Sequence, residues 1–563
     1  MESSAPRWAR AVVVAAVLLA AVWPWWPMLD VLPQGADATK WVGRADLSGD
    51  WVGWVLNRKH FVGYRPVTAL SFVLNHATTG YAAWGYRVTD IGLHAVGALL
   101  ALALHRRWFG GSWIATGVVG AVLLAHPAIE EVVPVTSRRS YLLASDFGLL
   151  ALLLHGEALS ATTRARRWGL GALTAASTLL AVTSNEVAYV FVPLIVLRTS
   201  SEAWRALPAV AGPSVVAAAV AVGLRAAILD SVAGGYQKRY FAFLGPQGVP
   251  AWVELPDWQP GRIALAAIRY LFLPNGPSGE GPLLPVGLPQ DLGAGLIGAW
   301  VLAAGALLPA MRWRDPEARR RLLLVAWLVG SAGIVVLSQT WFWRQAFTLV
   351  FPLALLAGAT VGDALRTGRR GDRLVAGGAA LLLAASLPFG SAFGLHTGSL
   401  DAALRMTALV EAVEALPLSA PSTVWLVAAE REQTAQIARI WLDRRSGRPA
   451  RKHRVLAAAP PHSDLSRARA SLATDARGVR HLSLRALGLV EPQRFDGLRD
   501  RGQLRIDALW RRNPERGHRT WLVLADGAGP ARAEELVRPT DGVLYRDSPR
   551  ELRDDEPDTD GEP

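Results

Sequence analysis

Apolar residues gather in blocks of about 16 to 22 positions, broken by short connections bearing Arg, Gly or Pro, the block length that crosses a bilayer as a helix. The first run, 11–26, follows Arg7 and Arg10 and ends in the cluster Trp23-Pro24-Trp25-Trp26. Indole rings settle at the lipid headgroup boundary, and no small-x-small cleavage site follows, so the run reads as a retained anchor rather than a signal peptide. Further spans are predicted near 86–104, 113–125, 141–154, 170–183, 187–197, 208–229, 292–311, 322–338, 346–361 and 374–389. With the first they make about eleven. The apolar stretch 263–273 meets Pro274-Asn275-Gly276-Pro277 at once and is expected to be interfacial or re-entrant.

Arg placement sets the expected orientation. Arg106-Arg107, Arg164/Arg166/Arg167, Arg198/Arg205, Arg312 to Arg321 and Arg366 to Arg373 fall in alternate connections, on the side of the N-terminus. By the positive-inside rule that side is the cytoplasm, and an odd number of spans places everything after Phe389 outside. The expected location is an integral protein of a bacterial-type inner (cytoplasmic) membrane.

Beyond about Leu395 the pattern changes. Short aliphatic or β-branched runs at 423–428, 454–458, 481–487, 504–510 and 521–525 alternate with helical stretches such as 432–445. The expected fold class is therefore a polytopic α-helical membrane protein with a small C-terminal α/β extracytoplasmic domain. Its expected limits are 1–392 for the multi-span domain, 393–545 for the α/β domain and 546–563 for an acidic disordered tail.

Composition agrees with a membrane chain. Of 563 residues 51% are hydrophobic and 19% charged, which excludes a disordered protein and an ordinary soluble enzyme. The formal net charge of +13 is explained by Arg in loops rather than by nucleic acid, which is not an expected partner. With no Cys, disulfides, thiol catalysis and Cys-ligated zinc are all excluded.

Candidate chemistry collects on the face opposite the Arg clusters. The first outer loop carries Asp30, Asp37, Asp46 and Asp50, then Lys59-His60 and Tyr64-Arg65-Pro66. A second runs His126-Pro127-Ala128-Ile129-Glu130-Glu131 and on to Ser137-Arg138-Arg139-Ser140. His94, Glu186 and Arg344 lie near span ends on that same face. Ionisable groups at a membrane edge are costly unless paired or hydrated, so they mark either a functional site or interface anchors. Carboxylates and guanidinium groups together suit an anionic lipid headgroup with a hydroxyl or amide acceptor.

The ordered set Tyr64-Arg65-Pro66-Val67-Thr68, Trp84-Gly85-Tyr86, Leu93-His94-Ala95, His126-Pro127, Glu131-Val132-Val133 and Ser137-Arg138-Arg139 resembles the membrane half of the GT-C superfamily. Within it the chain is most similar to the transmembrane O-mannosyltransferases that carry tetratricopeptide repeats, and to their bacterial relatives. Weaker echoes follow at Ser184-Asn185-Glu186, Arg269 to Pro274 and Arg344; no such repeats are present. The resemblance implies an inverting glycosyltransferase acting on the extracytoplasmic face with a polyprenyl-phosphate sugar as donor. It implies an acid of the first outer loop as base, Asp37 with Asp30 as runner-up. Glu131 is implied to position the acceptor or a metal, and Arg139, with Arg138 and Arg344, to bind the donor phosphate. His94, His126, Glu130, Glu186, Tyr64 and Arg65 are implied to support the site. Where the family has Asp, His and Lys, this chain has Tyr141, Ile129 and Asn185.

No cofactor is called for with certainty; a divalent metal ion is left open. Expected partners are the lipid bilayer, a lipid-linked sugar and a glycan, lipid or protein acceptor. Two other readings share these features: a non-catalytic GT-C relative in cell-envelope assembly, and a lipid-linked sugar transporter. A transporter calls for polar residues through the middle of several spans, whereas the charges collect at one end.

Overall fold

The computed structural model describes residues 7–33, 36–45, 49–57, 63–110, 112–129, 132–230, 315–337, 346–367, 398–416, 438, 441 and 442, together with eight strands between 422 and 536. The expected spans 292–311 and 374–389, the stretch 263–273 and the tail 546–563 lie outside them.

The chain forms two compact units that do not follow chain order. The first comprises Met1–Asp30 and Arg44–Gly398, the second Val31–Gly43 and Ser399–Pro563. Helices of the first unit are α1 (Arg7–Val22), α3 (Trp51–Asn57), α4 (Pro66–Thr79), α5 (Ala83–Phe109), α6 (Trp113–Ala125), α7 (Arg139–Leu159), α8 (Arg164–Ser184), α9 (Phe191–Ala203), α10 (Leu207–Val210), α11 (Gly212–Leu229), α12 (Pro316–Leu337) and α13 (Phe347–Thr367). Helix α2 (Ala36–Arg44) falls almost wholly in the second unit, as does α14 (Gly398–Glu414).

Among the described residues, four helical segments are long and apolar enough to cross a membrane: Arg10–Met28, Ala83–Phe109, Thr136–Leu159 and Gly212–Leu229. Two shorter apolar helices cover Trp113–Leu124 and Phe347–Asp363. Helices α5, α7 and α8 outrun the expected apolar blocks, with ends in polar flanks, whereas α6 matches its expected span. Ser112 accepts from the Ala115 amide at 3.2 Å to start α6, and Thr163 accepts from the Arg166 amide at 3.3 Å to start α8. Gly110, at φ +61°, closes α5 in the left-handed conformation that a residue without a Cβ adopts freely. The predicted span 208–229 is divided at Ala211, where Pro208 and Pro213 each sit in the first turn of a separate helix.

In a membrane, helices gain little by hiding apolar surface from one another, so close packing and interhelical hydrogen bonds hold the bundle. Helix α7 packs on α5, α8 and α9, and α8 on α11. Gly148 of α7 lies so near the Phe191 ring of α9 that a Cβ there would overlap it. Polar bridges cross three interfaces: His155 Nε2 with Thr199 Oγ1 at 2.7 Å, His105 Nδ1 with Thr116 Oγ1 at 3.3 Å, and Thr178 Oγ1 to Ser214 Oγ at 3.4 Å.

In the second unit Leu32 donates its amide to Thr407 Oγ1 at 3.0 Å, and Trp441 donates Nε1 to the Pro33 carbonyl at 3.1 Å. These bonds tie the segment after the first helix to α14 and to the C-terminal part of the chain. Strands β1 (Ser422–Ala428), β2 (His453–Ala457), β7 (Arg519–Ala525) and β8 (Arg532–Leu536) form one sheet in the order β2-β1-β7-β8. Its first three strands are parallel, with Val424 opposite both His453 and Trp521, and β8 is antiparallel. Strands β3 (Arg469–Thr474), β4 (Arg480–Arg485), β5 (Arg499–Asp500) and β6 (Gln503–Arg505) form a second, antiparallel sheet in the order β3-β4-β6-β5. Parallel pairing needs long crossovers between strands, the pattern expected of alternating strands and helices. Within the expected helix 432–445, residues 438, 441 and 442 are described, and they are helical.

Candidate functional site

Three motif segments, far apart in sequence, meet at the end of the first unit where α7 begins. Pro66 takes the first position of α4, where the missing amide proton costs nothing, and this leaves Tyr64 and Arg65 just ahead of the helix. Asn185 ends α8 in an extended conformation and caps the short helix Glu186–Val190, its side chain accepting from the Val187 amide at 3.2 Å. The same Asn185 donates Nδ2 to Ser140 Oγ at 2.9 Å, while Thr68 Oγ1 donates to the Ser184 carbonyl at 3.0 Å. So the Tyr-Arg-Pro, Ser-Asn-Glu and Arg-Arg-Ser segments are linked by side-chain hydrogen bonds.

At the meeting point Glu186 is held by two guanidinium groups. Arg65 donates Nε and Nη2 to Oε2 at 3.1 and 2.8 Å, and Arg225 of α11 donates Nη1 to Oε1 at 2.6 Å. Side-chain exposure is 21% for Glu186, 16% for Arg65 and 7% for Arg225, so the cluster sits at an edge rather than in the core. Burial alone would raise the Glu186 carboxyl, but Arg65 and Arg225 overcome it and hold it down at about 2. Two guanidinium groups thus converge on one carboxylate at a partly open edge. Nearby, Tyr64 donates its hydroxyl to the Leu56 carbonyl at 2.9 Å, and burial pushes its phenol above the ordinary value.

Arg139 occupies a second, closed cluster. Its Nε donates to Asp90 Oδ1 at 2.6 Å, Nη1 to Asn75 Oδ1 at 2.5 Å and Nη2 to the Tyr86 carbonyl at 3.1 Å, while the guanidinium carbon lies 4.3 Å from the Phe72 ring centre. The side chain is fully buried. Arg139 thus joins α7 to α4 and α5, and its donors are directed at protein atoms. Arg138, half-buried, ends the preceding short helix Thr136–Arg138.

Of the remaining expected residues, four are described. His94 is buried in α5, and His126 ends α6 with Nδ1 accepting from the Ala128 amide at 3.1 Å. Asp30 is exposed after the first helix, in the first unit. Asp37 is exposed in the first turn of α2, within the second unit. Glu130, Glu131 and Arg344 lie outside the described residues. No three His, Asp or Glu side chains gather as a metal ligand set among the described residues.

Sequence reasoning missed Asp90, Asn75 and Arg225. A signal existed for two of them: Asp90 and Arg225 are ionisable residues inside apolar blocks, and such a residue calls for a named partner.

The described residues define a multi-helix, membrane-type protein whose motif segments gather at one end of the bundle. By those motifs and by direct sequence comparison, it resembles the GT-C glycosyltransferases with O-mannosyltransferase activity. It is 37% identical over 110 residues to the protein O-mannosyl-transferase TMTC2 of Mus musculus, and equally to that of Homo sapiens. The match covers 19% of this chain and 13% of the length of those relatives. No family model matches. Solved structures to which the chain is similar include ArnT from Cupriavidus metallidurans bound to undecaprenyl phosphate, at 15% identity and a TM-score of 0.43 over 81% of this chain and 86% of that one. Another is the archaeal oligosaccharyltransferase AglB from Archaeoglobus fulgidus, in complex with an inhibitory peptide and a dolichol-phosphate. There the identity is 12% and the TM-score 0.40, over 79% of this chain and 64% of that one. At those scores neither likeness defines a ligand or a reaction for this chain.

Proposed function

We propose that this protein is an integral-membrane glycosyltransferase that moves a sugar from a polyprenyl-phosphate donor to an acceptor on the extracytoplasmic face. The observation that carries the reading is the joining of Tyr64-Arg65, Ser184-Asn185-Glu186 and Ser140 with Arg225 at one edge of the bundle. A lipid phosphate arriving there meets two guanidinium groups that share a single carboxylate, a forked geometry suited to phosphate oxygens. As the glycosidic bond to the donor breaks, negative charge grows on the departing phosphate, and Arg65 and Arg225 are placed to stabilise it.

Glu186, held ionised by its two partners, is a weak base and serves to orient the arginines rather than to take a proton. Proton removal from the acceptor hydroxyl stays with the loop acids, Asp37 first and Asp30 second, with inversion at the sugar carbon. Glu131 keeps its proposed role in acceptor or metal positioning, and Arg344 and Arg138 theirs as further phosphate contacts. For Arg139 the pairing with Asp90 favours a positioning role, fixing the start of α7 and thereby Ser140 beneath Asn185.

The test uses the full chain in nanodiscs with a polyprenyl-phosphate sugar, following release of polyprenyl phosphate. Arg225→Gln and Arg65→Gln should each raise the donor KM and lower turnover by about tenfold or more, the loss of one charge-assisted contact. Unchanged release in both variants would remove the site. The second reading, a non-catalytic relative in envelope assembly, is favoured by one observation: Glu186 and Arg139 are both fully engaged within the protein. It predicts no release by wild type while donor binding persists.

A further inference from the structure

At the other end of α7, about 30 Å from Arg139 at 1.5 Å per helical residue, lies a cavity of about 350 Å³. It is framed by the last turns of α5, α7 and α9 and the first turns of α12, and its charged lining is Arg107, Arg198, Arg320 and Glu202. The side chain of Arg198 is 95% buried, and one of its nitrogens, Nη1, has no hydrogen-bond partner among the described residues. Its Nε reaches Glu202 Oε1 at 3.2 Å, and its guanidinium carbon lies 4.9 Å from the Trp108 ring centre, which holds the fork in place. Arg320 donates Nη1 to the Trp108 carbonyl and lies with Nε 3.6 Å from Glu202, while Arg107 pairs with Glu157 at 2.6 Å just outside the cavity.

Three helix C-termini end here, and their carbonyls favour cations, which accounts for arginines at this level but not for a cavity between them. Three like charges around one space, facing a single lining carboxylate, and a buried donor left without an acceptor both call for an anion with several acceptor oxygens. Gly156 keeps the wall open: a Cβ there would lie 3.4 Å from Arg198 Nη1, so any longer side chain would fill the space. The flanking Arg clusters put this end of the bundle on the cytoplasmic side, where anionic lipid headgroups are present and basic pockets between helices bind them.

We propose that this cavity binds the phosphate of an anionic phospholipid of the cytoplasmic leaflet, at the opposite end of the bundle from the Arg65–Glu186–Arg225 cluster. Bridging α5, α7, α9 and α12, the bound headgroup would lock these helix ends together.

The test is native mass spectrometry of the full chain released from phosphatidylcholine nanodiscs with and without phosphatidylglycerol, alongside thermal unfolding. Wild type should retain phosphatidylglycerol over phosphatidylcholine and melt higher with it. Arg320→Gln and Arg107→Gln, both partly exposed and so tolerated by the fold, should weaken retention by about tenfold each, the equivalent of one charge-assisted hydrogen bond. Arg320→Lys should restore most of it. Equal retention by wild type and both Gln variants would overturn the proposal. So would stabilisation by inorganic phosphate that phosphatidylglycerol does not reproduce, which would make this a site for a soluble phosphate.

Discussion

Arg139 Nε donates to Asp90 Oδ1 at 2.6 Å, and the side chains are 0% and 1% exposed. The pair joins α7 to α5, and through Asn75 to α4, so the start of α7 is positioned by an ion pair as well as by packing. Removing one member deprives the other buried charge of its principal partner, with the buried Arg87 the remaining cation beside Asp90, at a cost of about 3–5 kcal/mol, whereas replacing both by apolar groups of similar volume can be nearly neutral. Arg139→Ala and Asp90→Ala should each lower the melting temperature sharply or abolish expression, and the double variant Asp90→Leu/Arg139→Met should recover part of the loss. Fluorescence-detected gel filtration and thermal melts decide this: an Arg139→Ala protein as stable as wild type, defective only in donor binding, would return Arg139 to the phosphate site.

Glu186 makes stability depend on acid. Its carboxyl is depressed from an ordinary 4.5 to about 2, so its contribution is fully present above pH 4.5 and is lost as pH falls through about 2. The shift is equivalent to about 3 kcal/mol. Wild type should therefore lose stability over that acid window, and Glu186→Gln should lack that increment at neutral pH with a flatter acid limb. Melting curves across the range test it; parallel limbs would show that the arginines do not hold Glu186 ionised.

Asp37 carries the proposed base. Asp37→Asn should reduce sugar transfer to background while leaving the melting temperature within about 1 °C, since the carboxylate is exposed in the first turn of α2. Normal turnover by this variant would shift the base to Asp30, which Asp30→Asn then tests.

Gly148 of α7 stands against the Phe191 ring of α9 with no room for a Cβ. Gly148→Ala should destabilise by about 1–3 kcal/mol, because the added methyl meets the Phe191 ring and the helices must part. Phe191→Leu in the same chain should relieve most of it. Thermal melts in detergent supply the measurement, and an unaffected single variant would mean that the ring swings aside freely.

The helical bundle could be read along the chain because a span is a local object: a long apolar block closes its own backbone hydrogen bonds, and its neighbours in sequence suffice to place it. The blocks at 86–104, 141–154 and 170–183 lie within helices, each prolonged into polar flanks, and the described part of 322–338 is helical through Leu337. Short alternating runs likewise pointed to strands at 423–428, 454–458 and 521–525, where β1, β2 and β7 stand.

Arg65 and Glu186 were visible as motif fragments, but neither their pairing nor Arg225 was. Arg65 and Glu186 are 121 positions apart and Glu186 and Arg225 are 39, and no local pattern encodes which charges will meet. Composition and periodicity identify a chain of apolar helices with Arg clusters between them, since both rest on the chemistry of single side chains against lipid and water. Which charge neutralises which, Arg139 with Asp90 in a closed core and Arg65 with Arg225 around Glu186 at an open edge, follows from how α4, α5, α7, α8 and α11 pack. Coulombic pairing depends on distance in space, and only the folded bundle sets that distance.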